Sequence, residues 1–162
     1  MSGRCPCRSS SRSSKLPASG APTSAAFAQT VGFEGAVDLA VGDQPDATAI
    51  GDFDGDGFAD LAVTTDGPDK VSILFNQGDG TFGAPIDVRL PNSSSPGAVT
   101  AADVDGDKDL DLIVALKDFD EVQVVTNAAG TFSPGARYAV GDRPVDVEAA
   151  LLDGDAFPDV VA

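Results

Sequence analysis

Histidine and tryptophan are absent from this sequence, tyrosine and methionine occur once each, and 10 basic residues face 26 acids. Without histidine, a Ser/His/Asp or Cys/His nucleophile, a histidine base and a His-ligated zinc site are all excluded within the chain. With no Trp and only Tyr138, the flat aromatic platforms on which sugars usually stack are scarce. The two cysteines, Cys5 and Cys7, form CPC in a Ser/Arg-rich head. A CxC can bind metal or close a strained disulfide, but this one lies far from any structured pattern and is assigned no role. No run approaches the roughly 18 consecutive apolar residues of a membrane-spanning helix, so no membrane insertion is expected.

What is present is mostly acid. The formal charge of −16 is unevenly placed: every Asp and Glu lies at or after Glu34, and from Gln29 onward 6 bases stand against 26 acids, a balance of −20. Such a surface repels nucleic acid and anionic membranes and suits cations. The head, residues 1–28, is basic, then small and weakly apolar, and ends in Ala26-Phe27-Ala28, which fits the small-x-small rule for signal cleavage. Its middle is poor in Leu, Ile and Val. It reads as a degenerate secretion signal, with a disordered tail or a transit peptide as alternatives. Residues 29–162 hold the structured region, expected to be secreted or extracellular.

That region repeats itself. FEGAVDLAVGDQP from Phe33 returns as FSPGARYAVGDRP from Phe132, and each places a DGD tripeptide at the same later offset. A middle copy, GTFGAPIDVRLP, begins at Gly80. The acidic cores Asp54-Gly55-Asp56, Asp105-Gly106-Asp107 and Asp153-Gly154-Asp155 recur at spacings of 51 and 48. Within a unit the pattern is strand-like: Leu61-Ala62-Val63 follows the acidic run, Val71, Ile73 and Phe75 alternate, and Gln77 to Gly80 forms a hairpin loop with Asp-Gly. Four short strands per unit are predicted, near 47–50, 60–64, 71–76 and 82–90, the size of one propeller blade. The fold class is therefore all-β, an incomplete β-propeller of about two and a third four-stranded antiparallel blades. The last residues, Asp159 to Ala162, read as mid-strand, so the chain is expected to be a fragment of a longer protein.

The acidic loops carry the chemistry. Carboxylates at alternate positions of a tight loop converge on one point, while glycine permits the bend. Asp52, Asp54, Asp56 and Asp60 thus offer four hard oxygens, and the Phe58 carbonyl and a water complete a shell of six or seven, as Ca²⁺ wants and Mg²⁺ usually does not. A transition metal would prefer His or Cys. Solvated acidic turns are the alternative, since Asp and Gly favour turns anyway. Two complete DxDGDxxxD matches at a repeat period, each followed by an apolar strand, favour the cation. The second loop has Lys108 in place of the permissive glycine. The third has Leu151 at its first position but keeps Asp153, Asp155 and Asp159. An EF-hand loop is similar over its first half but needs a bidentate Glu and flanking helices, and dockerin loops also lead into a helix; LAVTT and LIVAL lead into strands instead.

DFDGDGFADLAV, DVDGDKDLDLIV and GTFGAP together resemble FG-GAP or VCBS-type repeats, which build the calcium-binding propellers of integrin α-subunits and many secreted bacterial proteins. The resemblance runs from about Phe33 to Ala162. It implies calcium held in the loop between the first two strands of a blade by positions 1, 3, 5 and 9 and the carbonyl at 7. Those positions are Asp52, Asp54, Asp56, Phe58 and Asp60 in the first loop, and Asp103, Asp105, Asp107, Asp109 and Asp111 in the second. The family commonly closes seven blades, which this chain is too short to do alone.

The expected function is a non-catalytic, calcium-stabilised repeat module that binds or scaffolds an unidentified extracellular protein or glycan. A carbohydrate-binding or lyase-associated propeller is the alternative, weakened by the missing aromatics; Phe82 and Phe132 sit at repeated positions and read as core. An enzyme with paired acidic groups is disfavoured, because near-identical loops do not supply two differently tuned carboxylates.

Overall fold

A computed structural model describes residues 38–162; the head, with Cys5, Cys7 and the cleavage-type tripeptide, and the start of the first repeat copy lie outside them. Ten strands and no helix form among the described residues. The first sheet is an antiparallel meander of β1 (Pro45–Gly51), β2 (Asp60–Thr65), β3 (Lys70–Leu74) and β4 (Ile86–Arg89), in that spatial order. The second repeats it with β5 (Pro96–Ala102), β6 (Asp111–Leu116), β7 (Glu121–Ala128) and β8 (Thr131–Ala139). β9 (Glu148–Ala150) and β10 (Asp159–Val161) form a third, two-stranded sheet.

The registers show that these are copies. Gly51 pairs with Asp60, Ala102 with Asp111 and Ala150 with Asp159, so each acidic loop closes the same hairpin. β1 and β5 also carry an irregularity at the same place, after Pro45 and Pro96. The fourth predicted strand of the first unit is interrupted: Phe82 makes only a bridge with Asn76, and regular pairing resumes at Ile86. Pro85 lacks the amide hydrogen that an unbroken ladder would use.

Alternation along the strands sends one set of side chains to each face. Ala62, Val71 and Ile73 of the first sheet meet Leu112, Val114, Leu116 and Val125 of the second in one buried core. The second sheet's other face begins a further core, where Ile113, Ala115 and Val122 meet Val147 ahead of β9. Polar ties reinforce the first seam. The Thr64 hydroxyl donates to the Gly97 carbonyl at 2.7 Å, and Lys117 pairs with Asp46. In each four-stranded unit a turn aspartate with left-handed φ, Asp69 or Asp120, anchors the segment leading onward. Asp69 accepts from the amides of Ser93, Ser94 and Ser95, and Asp120 from that of Arg143.

Candidate metal centre

The loops between β1 and β2 and between β5 and β6 are built alike, atom by atom. Asp52 accepts the amides of Gly55 and Gly57 at 2.8 and 2.9 Å, and Asp103 those of Gly106 and Lys108 at 2.7 and 3.0 Å. Asp54 accepts from Asp56 and Asp56 from Phe58, and in the second loop Asp105 accepts from Asp107 and Asp107 from Asp109. Each carboxylate thus holds the backbone two to five residues onward, which winds the loop around its own acids.

The ninth position is different in kind. Asp60 and Asp111 are fully buried at the start of their strands. Asp60 takes the amides of Phe53 and Asn76, both at 2.8 Å, and Asp111 those of Val104 and Asn127 at 3.0 and 2.7 Å. These carboxylates join loop, strand and following hairpin, a structural duty that the spacing alone did not reveal. Asn76 and Asn127, also unflagged by the sequence, donate from their side chains to the carbonyls of Ala59 and Leu110. Their recurrence 51 residues apart was the available signal.

Oxygens of Asp52, Asp54 and Asp60 lie within 4.8 Å of one another, as do those of Asp103, Asp105 and Asp107. Asp56 and Asp111 stand outside these groups, and the Asp109 side chain turns to the Ala129 amide at 2.7 Å. In the third loop Asp153, Asp155 and Asp159 keep their hydrogen bonds to Asp155, Phe157 and Leu152, but no such cluster forms there among the described residues. Leu151 supplies no carboxylate to draw the sixth position inward, as Asp52 and Asp103 do.

The electrostatics fit a site under repulsion. Partial desolvation pushes the Asp54 carboxyl above the ordinary carboxylate range, and the charges of Asp56, Asp60 and Asp52 push it further. Burial raises Asp111, with Asp105 and Asp107 adding to it, against the pull of the two amides it accepts. An all-oxygen, all-carboxylate donor set of this kind matches a hard divalent cation.

At the sixth position Gly57 has φ +90°, and a Cβ there would meet nothing within 4 Å. There is room for a side chain, but the backbone is left-handed. Lys108 adopts φ 81° at the equivalent place, a conformation that disfavours side-chain-bearing residues. We expect Lys108→Gly to raise stability in EDTA by roughly 0.5–1 kcal/mol, the relieved strain exceeding the added chain entropy. Urea unfolding measures it; a loss of stability would mean that the lysine's own contacts outweigh the strain.

Residues 52–114 match the FG-GAP-like repeat family. No curated protein matches the chain. The matched stretch runs from the first acidic loop into β6, and so contains both three-carboxylate clusters.

Proposed function

We propose, for a chain that carries the FG-GAP-like repeat, a non-catalytic binding or scaffold module whose blades are held by calcium. The carrying observation is the pair of three-carboxylate clusters in the equivalent loops of two successive repeat units, formed by positions 1, 3 and 9 in the first and 1, 3 and 5 in the second. Asp52, Asp54 and Asp60 would hold one ion and Asp103, Asp105 and Asp107 the other, with Asp56, Asp109 and Asp111 and the Phe58 carbonyl as reserve oxygens. When bound, calcium supplies charge neutralisation and no reaction chemistry. The protein's own residues do the rest: amides of the loop orient the carboxylates, and the ninth-position aspartate transmits the loop's geometry to β2 and β3 or to β6 and β7. Secretion agrees with this reading, since extracellular sites of this type bind at roughly 10⁻⁴ to 10⁻³ M, matching extracellular calcium. The near-identity of the two loops supports a structural role over catalysis.

Thermal unfolding of the full chain in EDTA and then in millimolar CaCl₂, with MgCl₂ as control, tests the proposal. The melting temperature should rise by several degrees with calcium and much less with magnesium, because a ligand that binds only the folded state stabilises it by mass action. Acidification should reduce the increment. The raised carboxyls of Asp54 and Asp111 are protonated earlier in the folded chain than in the unfolded one, so lowering the pH relieves the same repulsion that calcium relieves. A folded protein with no calcium shift would reduce both loops to solvated turns.

A further inference from the structure

A buried asparagine of the second unit joins the two acidic loops. Phe53, in the first loop, donates its amide to the ninth-position Asp60 at 2.8 Å, and its carbonyl accepts from the Asn127 side chain at 2.8 Å. Asn127 donates its own amide to Asp111, the ninth position of the second loop, at 2.7 Å, and its side-chain oxygen accepts the Gly130 amide at 3.0 Å. It is 2% exposed. Asn76, its counterpart one repeat earlier, makes the corresponding bonds with Asp60, Ala59 and Gly78, all within its own unit. Of the two asparagines, Asn127 alone reaches the loop of a neighbouring unit.

The turn that follows Asn127 also backs the first loop sterically. A Cβ on Gly130 would lie 3.2 Å from the Asp54 Cβ, 3.7 Å from its Cα and 3.4 Å from the Phe75 ring, so Asp54 would have to give by a few tenths of an ångström. Metal–ligand distances tolerate only about 0.2 Å. Gly80, in the loop between β3 and β4, has nearly the same backbone, φ +86° against +79°, but a Cβ there would meet nothing within 4 Å. Left-handed backbone favours glycine at both places. Only at Gly130 is the space itself taken by a carboxylate of a metal cluster. Asp54, backed in this way, groups with the buried Asp60, whereas Asp105 groups with the exposed Asp107.

We infer that the end of β7 and its turn, Asn127 to Gly130, position the first metal loop, so that ion binding there is linked to the packing of the second unit against the first. Asn127 fixes the backbone at Phe53, and Gly130 leaves Asp54 the space to face Asp52 and Asp60. Linkage is reciprocal: what the turn contributes to binding, the ion returns as stability of the seam between the sheets. The inference rests on the calcium reading above.

Calcium titration of the full chain, followed by amide NMR, reads the loops separately: Gly55 and Gly57 report the first, Gly106 and Lys108 the second. Gly130→Ala should raise the first loop's Kd about threefold or more and leave the second unchanged, while Gly80→Ala, with the same backbone strain, changes neither. Gly130→Asn suits left-handed backbone better and carries the bulk if the alanine variant does not fold. In the other direction, calcium should slow exchange of the Gly130 amide more in Asp105→Ala, which keeps the first loop, than in Asp54→Ala, which disables it. Four results overturn the inference: folded Gly130 variants with normal calcium binding at the first loop, equal losses at both loops, an equal effect of Gly80→Ala, or Gly130 exchange indifferent to the first loop's occupancy. Failure of the calcium reading looks different, because neither loop of the unaltered chain would then respond to calcium, and the inference falls with it.

Discussion

Phe53→Ala should cost the chain about 3–5 kcal/mol, the range for truncating a fully buried phenylalanine. The ring is 1% exposed and meets Phe132 edge-on, with centroids 5.8 Å apart and planes at 83°. It therefore leaves the acidic loop of one unit and packs into the hairpin of the next. Its backbone adds two ties, an amide donating to Asp60 and a carbonyl accepting from Asn127. The substitution removes the aromatic contact and leaves a cavity at the seam between sheets. Unfolding by urea should show the loss, and hydrogen exchange should show the seam residues of β2 and β6 losing protection first. A cost below about 1 kcal/mol would mean that the two sheets do not depend on this plug.

Asp60→Ala, measured in EDTA so that no metal enters, should cost a similar 3–5 kcal/mol, because two amide hydrogens are left without an acceptor inside the protein. Asp60→Asn keeps one acceptor oxygen and should lose about half as much, which provides a measurement if the alanine variant does not fold. Asp54→Ala is the informative contrast. Its carboxylate accepts one amide in an exposed loop, so the cost in EDTA should stay under about 1 kcal/mol while the calcium response of the first loop is lost. Equal losses for Asp54→Ala and Asp60→Ala in EDTA would contradict the division of labour between rim and base of the loop.

Much of this architecture was legible because repetition and alternation are local properties. The 51-residue period located two equivalent hairpins, and alternating Val71, Ile73 and Phe75 marked a strand, although Ser72 and Leu74 on its other face are buried as well. Where a boundary was misplaced, at Phe82 to Pro85, a proline broke a ladder whose apolar pattern continued through it. The nine phenylalanines illustrate the limit of pattern. Phe53 is buried, and Phe132 is partly buried against the core, but Phe58 and Phe157, at the seventh position of their loops, are 47% and 53% exposed. Hydrophobicity is the same in all four; only the neighbouring sheet decides which ring is covered.

The all-β class, the acidic loops and the carboxylates that line them follow from sequence alone, because each depends on residues within about ten positions of one another, and the repeat is that local pattern written again 51 and 48 residues on. Tertiary structure decided the rest. It separated Asp60 and Asp111, buried as braces, from the half-buried and exposed acids of the same motif, and it left Asp56 and Asp111 outside the three-carboxylate clusters. It joined Asn127 to Phe53 across 74 positions and left the face around Tyr138 open. Burial and long-range hydrogen bonds depend on which sheet lies opposite, and no local spacing encodes that.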